Sequence, residues 1–403
     1  MKTTTMQRID RAFGPIFGSI LVALRQILPR RKKSGADNIP VKNILILKFL
    51  GIGTLLLASP ALRRLKAMNP SARIVILTLS QNQALAEMLP GPEEVVVIKI
   101  NNFRNLLKSL CGVLPGLIKR KFDAVVDLEF FANFPALITA CLTLFNPDIV
   151  AAGYDFPGHW RNKVYGRRVV FHHKKHISEI MSDLINSLLL HAAEPEKISF
   201  DVERRIFFEK AQTDLVTESQ NKYPHSPAFV VTLNINSGDM CENRRWPKGH
   251  FREVVAELQK RKNIAIFLIG GSSDVAYVDE FLKSLPSQEN VVSFCGKTSF
   301  YQLLGILAKT DLFITNDSGP LHLATVMAIP TIAFFGPETP ALYGPVGERS
   351  HVFYLDLPCS PCLSIYNSKY YICHDNQCMK TITSAQVMKV VDAEINTTKA
   401  RKP

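Results

Sequence analysis

The sequence predicts an α/β protein with two Rossmann-like domains facing each other across a cleft. From residue 43 onward, short apolar runs alternate with longer helical patterns, which is typical of a parallel sheet covered by helices on both faces. The same alternation begins again near residue 228. With 403 residues, of which 47% are hydrophobic and 21% charged, the chain is long enough to form two hydrophobic cores.

The first domain is predicted to span residues 43–195. Apolar runs rich in Val, Ile and Leu predict strands, and helical patterns separate them. The predicted strands are 43–48, 73–79, 94–100 and 124–130, and the predicted helices are 55–69, 82–89 and 103–120.

The second domain is predicted to span residues 228–403, after a polar and charged stretch at 196–227 that we interpret as a linker. Its strands and strand-end loops are predicted at 228–238, 264–271, 291–296, 312–319 and 330–336. Its helices are predicted at 249–261, 278–285, 299–310 and 321–328.

The amino-terminal segment, residues 1–42, is strongly basic. It contains nine Lys and Arg against two Asp, a net charge of +7 within a chain total of +13. The apolar run 13–28 is too short to span a bilayer and contains Arg25, so we predict an amphipathic interfacial helix. Residues 1–33 would then bind an anionic membrane surface, and the protein would lie peripherally on a membrane. The alternatives are a helix packed on the body of the protein and, because "LPRRKK" is a poor cleavage site, a less favoured signal peptide.

Ligands of such sheets bind at the carboxyl ends of the strands, so the loops that follow the strands are the candidate sites. The most informative loop is "TNDSGPLHLA", residues 315–324. Asp317, Ser318 and Gly319 precede a helix whose N–H groups and dipole suit a phosphate group, and His322 lies on its first turn. The alternative is that Asp317 or Ser318 merely caps the helix while His322 is packed in the core.

Three more strand-end loops of the second domain are rich in Gly, Ser, Thr and Arg. Together the four loops predict a nucleotide-diphosphate ligand, since arginine pairs bidentately with phosphate oxygens. None contains a Walker motif or a GxGxxG fingerprint. The predicted donor-binding residues in these loops are Asn236, Ser237, Arg244, Arg245, Gly270, Gly271, Lys297 and Thr298.

Five segments resemble the bacterial heptosyltransferases, glycosyltransferase family nine. They are "GIGTLLLASPALRRLK", "RRWPKGHF", "FLIGG", "NDSGPLHLA" and "FFGPETP", and the resemblance extends from about residue 43 to residue 395. It implies a GT-B fold, an ADP-heptose-like donor in the second domain, a lipopolysaccharide-type acceptor in the first, inversion at the anomeric carbon and no catalytic metal or other required cofactor. By position, Asp317, Ser318, Gly319 and His322 match the donor motif of the family, and Arg244 matches its phosphate-binding Lys or Arg.

The turn after the first strand lacks the acid that the family uses there. Well-known members have Gly-Asp, and that aspartate is taken as the base, whereas here Thr54 follows Gly53. Both residues are still expected to border the donor. Because displacement at the anomeric carbon needs a proton acceptor, either the protein is inactive or another residue has this role.

We predict that Glu129 is the base and that Asp127 positions it. Their i, i+2 spacing would place both on one face of a continuing strand, and Glu129 replaces the uncharged glutamine of the family's Asp-Leu-Gln-Gly segment. Solvated or helix-capping carboxylates are the alternative. Lys48 and His176 are predicted to contact the acceptor, and His176 is a lesser candidate for the base.

Four of the eight cysteines are clustered in the segment 359–378. The C-x2-C pair Cys359 and Cys362, with Cys373 and Cys378, could hold a structural zinc ion. Reduced thiols or a conditional disulfide are the alternatives.

The leading interpretation is an inverting glycosyltransferase at the cytoplasmic face of the inner membrane that extends a lipid-linked saccharide. A sugar-nucleotide epimerase with the same two domains and a catalytically silent homologue remain open alternatives. A nucleic-acid partner is disfavoured, because the positive charge lies beside an apolar helix rather than among exposed aromatic residues.

Overall fold

A computed structural model describes residues 3–27, 41–100, 102–130, 132–189, 198–220, 227–238, 241–364 and 373–401. The chain forms two compact units, Met1–Ser199 and Phe200–Pro403. Each contains a parallel sheet with helices, as the sequence predicts, and each sheet has six strands.

The sheet of unit 1 has the strand order β3-β2-β1-β4-β5-β6. Its central strands read as continuous runs of Val, Ile and Leu that are buried on both faces, which is why they pair in parallel beneath helices. The elements are α1 (Thr3–Ile27), β1 (Asn43–Leu47), α2 (Ile52–Leu57), α3 (Ser59–Met68), β2 (Arg73–Leu79), α4 (Gln83–Ala86), β3 (Glu94–Ile98), α5 (Phe103–Lys119), β4 (Ala124–Asp127), α6 (Phe134–Phe145), β5 (Val150–Asp155), β6 (Arg167–Val170) and α7 (Ile177–Asn186).

Two strands of this sheet were not predicted from the sequence. The inner one, β5, contains small residues rather than a long apolar run, and the edge strand β6 begins with Arg167 and Arg168. Charged residues are common on edge strands, where one side of the ladder faces solvent, so hydrophobicity alone does not reveal them. Strand β4 is also shorter than predicted, because it ends at Asp127.

Helix α1 confirms the amphipathic helix predicted in the amino-terminal segment, and it packs along α6. Asp10 accepts hydrogen bonds from the backbone N–H groups of Asn133 and Phe134, both at 2.7 Å, and so caps the start of α6. None of the helices within the described ranges combines the length and apolarity required to span a bilayer. Residues 28–42 lie largely outside the described ranges, so the basic run Arg30–Lys33 is known here from sequence alone.

The sheet of unit 2 has the strand order β12-β11-β10-β7-β8-β9. Its core contains the buried Trp246, which stacks on Phe334 at 4.3 Å between ring centroids and meets Phe251 edge-on. The elements are α8 (Asp201–Lys210), α9 (Asp214–Gln220), β7 (Phe229–Asn234), α10 (Lys248–Gln259), β8 (Ile264–Leu268), α11 (Val275–Lys283), β9 (Val291–Ser293), α12 (Phe300–Ala308), β10 (Leu312–Asn316), α13 (Gly319–Val326), β11 (Thr331–Phe334), α14 (Pro340–Tyr343), β12 (Ser350–Phe353), α15 (Gln377–Lys380) and α16 (Ser384–Arg401).

The stretch predicted as a linker, 196–227, contains two helices of unit 2. Both α8 and α9 pack against α12, and Phe207 of α8 is fully buried. The exposed faces of α8 are charged, and only a few apolar residues pack against the unit, so the sequence does not show a clear helical pattern of apolar residues. Residues 190–197 and 221–226 lie outside the described ranges.

Candidate active site

Each sheet has a topological switch point between its two central strands. In unit 1 the strand order reverses between β1 and β4, and in unit 2 between β7 and β10. Loops on either side of such a point diverge and leave a crevice at the carboxyl ends of the strands. The predicted site residues of each unit are concentrated at its switch point.

In unit 1 the switch point contains a buried ion pair between Lys48 and Glu129. Lys48 Nζ donates to Glu129 Oε1 at 2.7 Å, and both side chains are 0% exposed. The same Oε1 accepts the backbone N–H groups of Phe49 at 2.8 Å and Leu50 at 2.7 Å. Glu129 Oε2 is buried and has no hydrogen-bond partner among the described residues. Oε1 of Glu129 therefore fixes the turn after β1, and no described residue pairs with Oε2.

Asp127 is also fully buried, at the end of β4. Its Oδ1 accepts the backbone N–H of Glu129 at 2.9 Å, and its Oδ2 accepts from the Tyr165 hydroxyl and from Arg161 Nη2. Burial raises the pKa of Asp127 to about 6, although Arg161 and Tyr165 oppose this effect.

The continuing strand on which Asp127 and Glu129 would share one face is not observed. Strand β4 ends at Asp127, so Glu129 lies beyond the ladder, and neither side chain is exposed to solvent. The structure places both carboxylates in contact with protein groups, and the catalytic roles assigned to them stay predictions.

The glycine turn that follows β1 is stabilised by hydrogen bonds between residues of the turn itself. Gly51 has φ = 78°, and a Cβ at this position would lie 2.8 Å from Thr54 Oγ1, so a side chain here would be strained. Thr54 Oγ1 donates to the carbonyl oxygens of Leu50 at 3.1 Å and Gly51 at 2.9 Å. The Thr54 hydroxyl therefore uses its proton within the turn and is left with acceptor capacity, while Gly53 is buried.

His176 precedes α7 as its N-cap residue. Its Nδ1 accepts the backbone N–H of Ser178 at 3.4 Å and lies 2.7 Å from Ser178 Oγ. The neighbouring Lys174 and Lys175 are exposed, and Lys175 pairs with Asp183 at 2.9 Å. His176 thus has a capping role, and its contact with an acceptor remains a prediction.

In unit 2 the switch point holds Arg244, which is only 16% exposed. Its Nη1 donates to Asp317 Oδ2 at 3.2 Å and its Nη2 donates to the carbonyl oxygen of Ser237 at 2.8 Å, whereas its buried Nε has no partner among the described residues. Burial alone would lower the pKa of Arg244, but the carboxylates of Asp317 and Glu338 outweigh it and raise the pKa. The buried Glu338 was missed from the sequence, although "FFGPETP" follows a predicted strand.

A second polar group at this point is centred on Asn234, which ends β7. Its Nδ2 donates to Ser318 Oγ at 2.7 Å and to Thr315 Oγ1 at 3.0 Å. Ser318 is the N-cap residue of α13 but makes no side-chain capping hydrogen bond. The capping alternative for Ser318 is therefore not observed, while His322 is buried, as the packed-core alternative predicts. Asn234 was also missed from the sequence. It could have been found as a polar residue at the end of a largely apolar strand.

Two of the remaining predicted loops, which contain Asn236 and Gly270, contact each other. Asn236 Nδ2 donates to the carbonyl oxygen of Ile269 at 3.1 Å, and a Cβ on Gly270 would lie 2.6 Å from that nitrogen, so these two loops are in contact. Gly271 N–H donates to Asp274 Oδ2 at 3.0 Å.

Arg245 and Lys297 contact residues other than those around Arg244 and Asp317. The Arg245 guanidinium lies over the Tyr277 ring, 4.3 Å from its centroid. Lys297 is exposed and donates to the carbonyl oxygen of Ser293 at 3.1 Å, with the half-buried Thr298 beside it. The structure therefore brings Arg244, Asp317 and Ser237 together and directs the Arg245 side chain onto an aromatic ring.

The cysteine-rich segment gives no support to the predicted structural zinc ion. In the part of the chain that the structure describes, no three His, Cys, Asp or Glu side chains are close enough to hold a metal ion. Cys359, Cys373 and Cys378 are free thiols. Burial, followed by neighbouring cysteines, raises the pKa of the Cys362 and Cys378 thiols to about 11.

Comparison with known proteins identifies the relatives of the chain. The family model "Glycosyltransferase family 9 (heptosyltransferase)" matches residues 116–371. Lipooligosaccharide heptosyltransferase 2 of Campylobacter jejuni subsp. jejuni serotype O:2 is 24% identical over 341 residues, which cover 84% of this chain and 93% of that protein.

Solved structures show the same fold. The glycosyl transferase family 9 protein from Veillonella parvula has a TM-score of 0.66 and 19% identity, covering 90% of this chain and 99% of that one. The E. coli heptosyltransferase WaaC with ADP has a TM-score of 0.65 and 18% identity, covering 87% of this chain and 99% of that one. With two parallel sheets of GT-B type and a family match over more than half of its length, the chain belongs to glycosyltransferase family 9, the heptosyltransferase family.

Proposed function

We propose that this glycosyltransferase moves a heptose-like sugar from a nucleotide-diphosphate donor to a lipid-linked saccharide of the lipopolysaccharide type, with inversion. Lipooligosaccharide heptosyltransferase 2 of C. jejuni is among its relatives, and the related WaaC structure contains ADP. The observation that carries the proposal is the position of Arg244 beside the uncapped start of α13 at the switch point of unit 2.

The donor diphosphate is proposed to bind at this point. Asp317 and Ser237 hold the Arg244 guanidinium in place, so little side-chain entropy is lost when a phosphate oxygen binds it. The side chain of the N-cap residue Ser318 does not bond to the first N–H groups of α13, and these groups carry the positive end of the helix dipole. Both features would stabilise the negative charge that develops on the departing diphosphate.

The transfer step forms a bond between an acceptor oxygen and the anomeric carbon while the bond from that carbon to the diphosphate breaks. The acceptor proton is proposed to pass to Glu129 Oε2, which has no hydrogen-bond partner in the described part of the chain, while Oε1 is occupied by three donors. Asp127 would position this base, since its Oδ1 holds the Glu129 backbone N–H. Because Glu129 is fully buried, the proposed step requires the turn at 49–53 to move when an acceptor binds.

The protein is further proposed to be cytoplasmic and peripheral on the inner membrane, where lipid-linked acceptors are embedded. The basic residues of the segment 1–33 support this placement by charge.

A catalytically silent homologue is the second candidate, and two observations favour it. Thr54 stands where the family base is expected, and the replacement Glu129 is buried. Such a protein would bind nucleotide sugar without transferring it.

The test is transfer from ADP-heptose to a lipopolysaccharide precursor, followed by mass spectrometry of the lipid product. We expect the native protein to add one sugar and Arg244→Gln to lower kcat/KM by about 100-fold or more, as loss of a charge-stabilising donor does. Arg245→Gln is the matched control, with an expected loss below about fivefold, because Arg245 lies over Tyr277. Nucleotide binding without any transfer by the native protein would instead support the silent homologue.

A further inference from the structure

The outward face of α1 is a continuous apolar stripe. Six large hydrophobic side chains of this helix are between 45% and 80% exposed. On a helix of 3.6 residues per turn these positions fall within an arc of about 100°. They are Phe13, Ile16, Phe17, Ile20, Leu24 and Ile27. Contiguous apolar surface of this kind is unusual on a soluble monomer and marks an interaction surface.

The inward face of α1 is held firmly to unit 1, so the stripe cannot turn inward. Asp10 caps α6, and Arg25 Nη1 donates to the carbonyl oxygen of Val164 at 3.1 Å. Between them, Gly18 is so close to the Trp160 ring that a Cβ would lie 2.4 Å from it. The helix can therefore pack on the body of the protein and also lie on a membrane. Its inward face packs on unit 1, and its outward face is left for the membrane.

The charged residues of α1 indicate that the partner of the stripe is anionic. Arg8 and Arg11 are exposed, and Asp10, the one acidic residue of α1, is turned to the start of α6. The sequence continues beyond the helix with Arg30, Arg31, Lys32 and Lys33. An apolar stripe that follows two exposed arginines, on a helix whose one carboxylate is turned to α6, is complementary to an anionic bilayer, whose headgroups bind basic side chains while its acyl region accepts the stripe.

We propose that the outer face of α1 is a docking surface for an anionic bilayer, in which the helix lies parallel to the membrane with the stripe at the boundary between headgroups and acyl chains. This deepens the peripheral association proposed above and does not depend on the transfer reaction. Membrane docking of α1 would also affect the glycine turn in unit 1. Phe134, the first residue of α6, packs edge-on against Phe49 at 5.4 Å, beside the glycine turn. Docking would therefore fix how this turn is presented to a lipid-linked acceptor.

The proposal is tested by flotation of the full chain with vesicles of equal parts phosphatidylglycerol and phosphatidylcholine. The triple variant Ile16→Ser, Phe17→Ser and Ile20→Ser should weaken vesicle binding by about tenfold or more, since apolar burial drives interfacial binding. Arg8→Gln with Arg11→Gln should reduce the preference for anionic over pure phosphatidylcholine vesicles. Phe208→Ser, an equally exposed apolar residue of α8 in unit 2, is the matched control and should bind like the native protein.

Two results would overturn the proposal. One is equal vesicle binding by the native protein and the triple variant, at unchanged melting temperature. The other is a native dimer in solution that the triple variant dissociates without any change in vesicle binding, which would assign the stripe to a second copy of the chain. The assay contains neither donor nor acceptor, so its outcome is independent of whether the protein transfers a sugar.

Discussion

The buried ion pair between Lys48 and Glu129 offers a direct test of how unit 1 is held together. Lys48→Met leaves the Glu129 carboxylate buried, with two backbone N–H donors and no positive charge. At 2.7 Å and an effective dielectric constant of about 20, the attraction between the two charges is about 6 kcal/mol. The desolvation of both ions offsets part of this attraction, so the single substitution should lower the free energy of unfolding by about 3–5 kcal/mol.

The double variant Lys48→Met with Glu129→Gln should be much more stable than either single variant. Met fills much of the volume of the lysine stem, and the Gln amide oxygen can still accept from Phe49 and Leu50. Neither variant side chain is charged, so no buried charge is left unpaired, and such replacements are often close to neutral. We expect a coupling energy of at least about 2 kcal/mol in the double-mutant cycle.

The assay is urea unfolding of the native protein, the two single variants and the double variant, with unchanged m-values required. The matched control is Lys66→Met with Glu93→Gln, a pair that is 31% and 40% exposed and should contribute less than about 1 kcal/mol. Single-variant losses below about 1 kcal/mol, or strictly additive losses in the double variant, would refute the reasoning. The folded double variant also tests whether Glu129 is the base, because it lacks the Glu129 carboxylate. A transfer rate equal to that of the native protein would show that Glu129 is not the base.

The folded-state pKa of Asp127, about 6, lies above its ordinary value of 3.8, so the stability from this group is present below pH 4 and is lost as pH rises through 6. The difference in unfolding free energy between the native protein and Asp127→Asn should therefore shrink by up to about 3 kcal/mol between pH 4 and pH 7, and a constant difference would contradict the raised pKa. Gly18→Ala should destabilise the attachment of α1 by about 1–3 kcal/mol because its Cβ would meet the Trp160 ring, as measured by thermal unfolding. Gly112→Ala in α5, with nothing within 4 Å of the new Cβ, is the control and should cause no loss.

The sequence by itself determined the α/β class, the two units and most of the central strands. Runs such as Ile44–Leu47 and Ile74–Leu77 are apolar throughout, because parallel strands are buried on both faces, and that composition is visible without a structure. The position of the strand-end loops could also be predicted, since residues after such strands must lie at one edge of the sheet. The edge strand β6 and helices α8 and α9 could not, because charged exposed faces hide their few buried positions.

Only the tertiary structure decided what each side chain in these loops contacts. Arg244 and Arg245 are adjacent in sequence, yet one pairs with Asp317 and the other lies over Tyr277. Glu129 is paired with Lys48, 81 residues away, and Asp10 caps a helix that begins 124 residues later. Local sequence encodes the periodicity of strands and helices, but burial and pairing depend on groups distant in the chain, which only folding brings within hydrogen-bond distance.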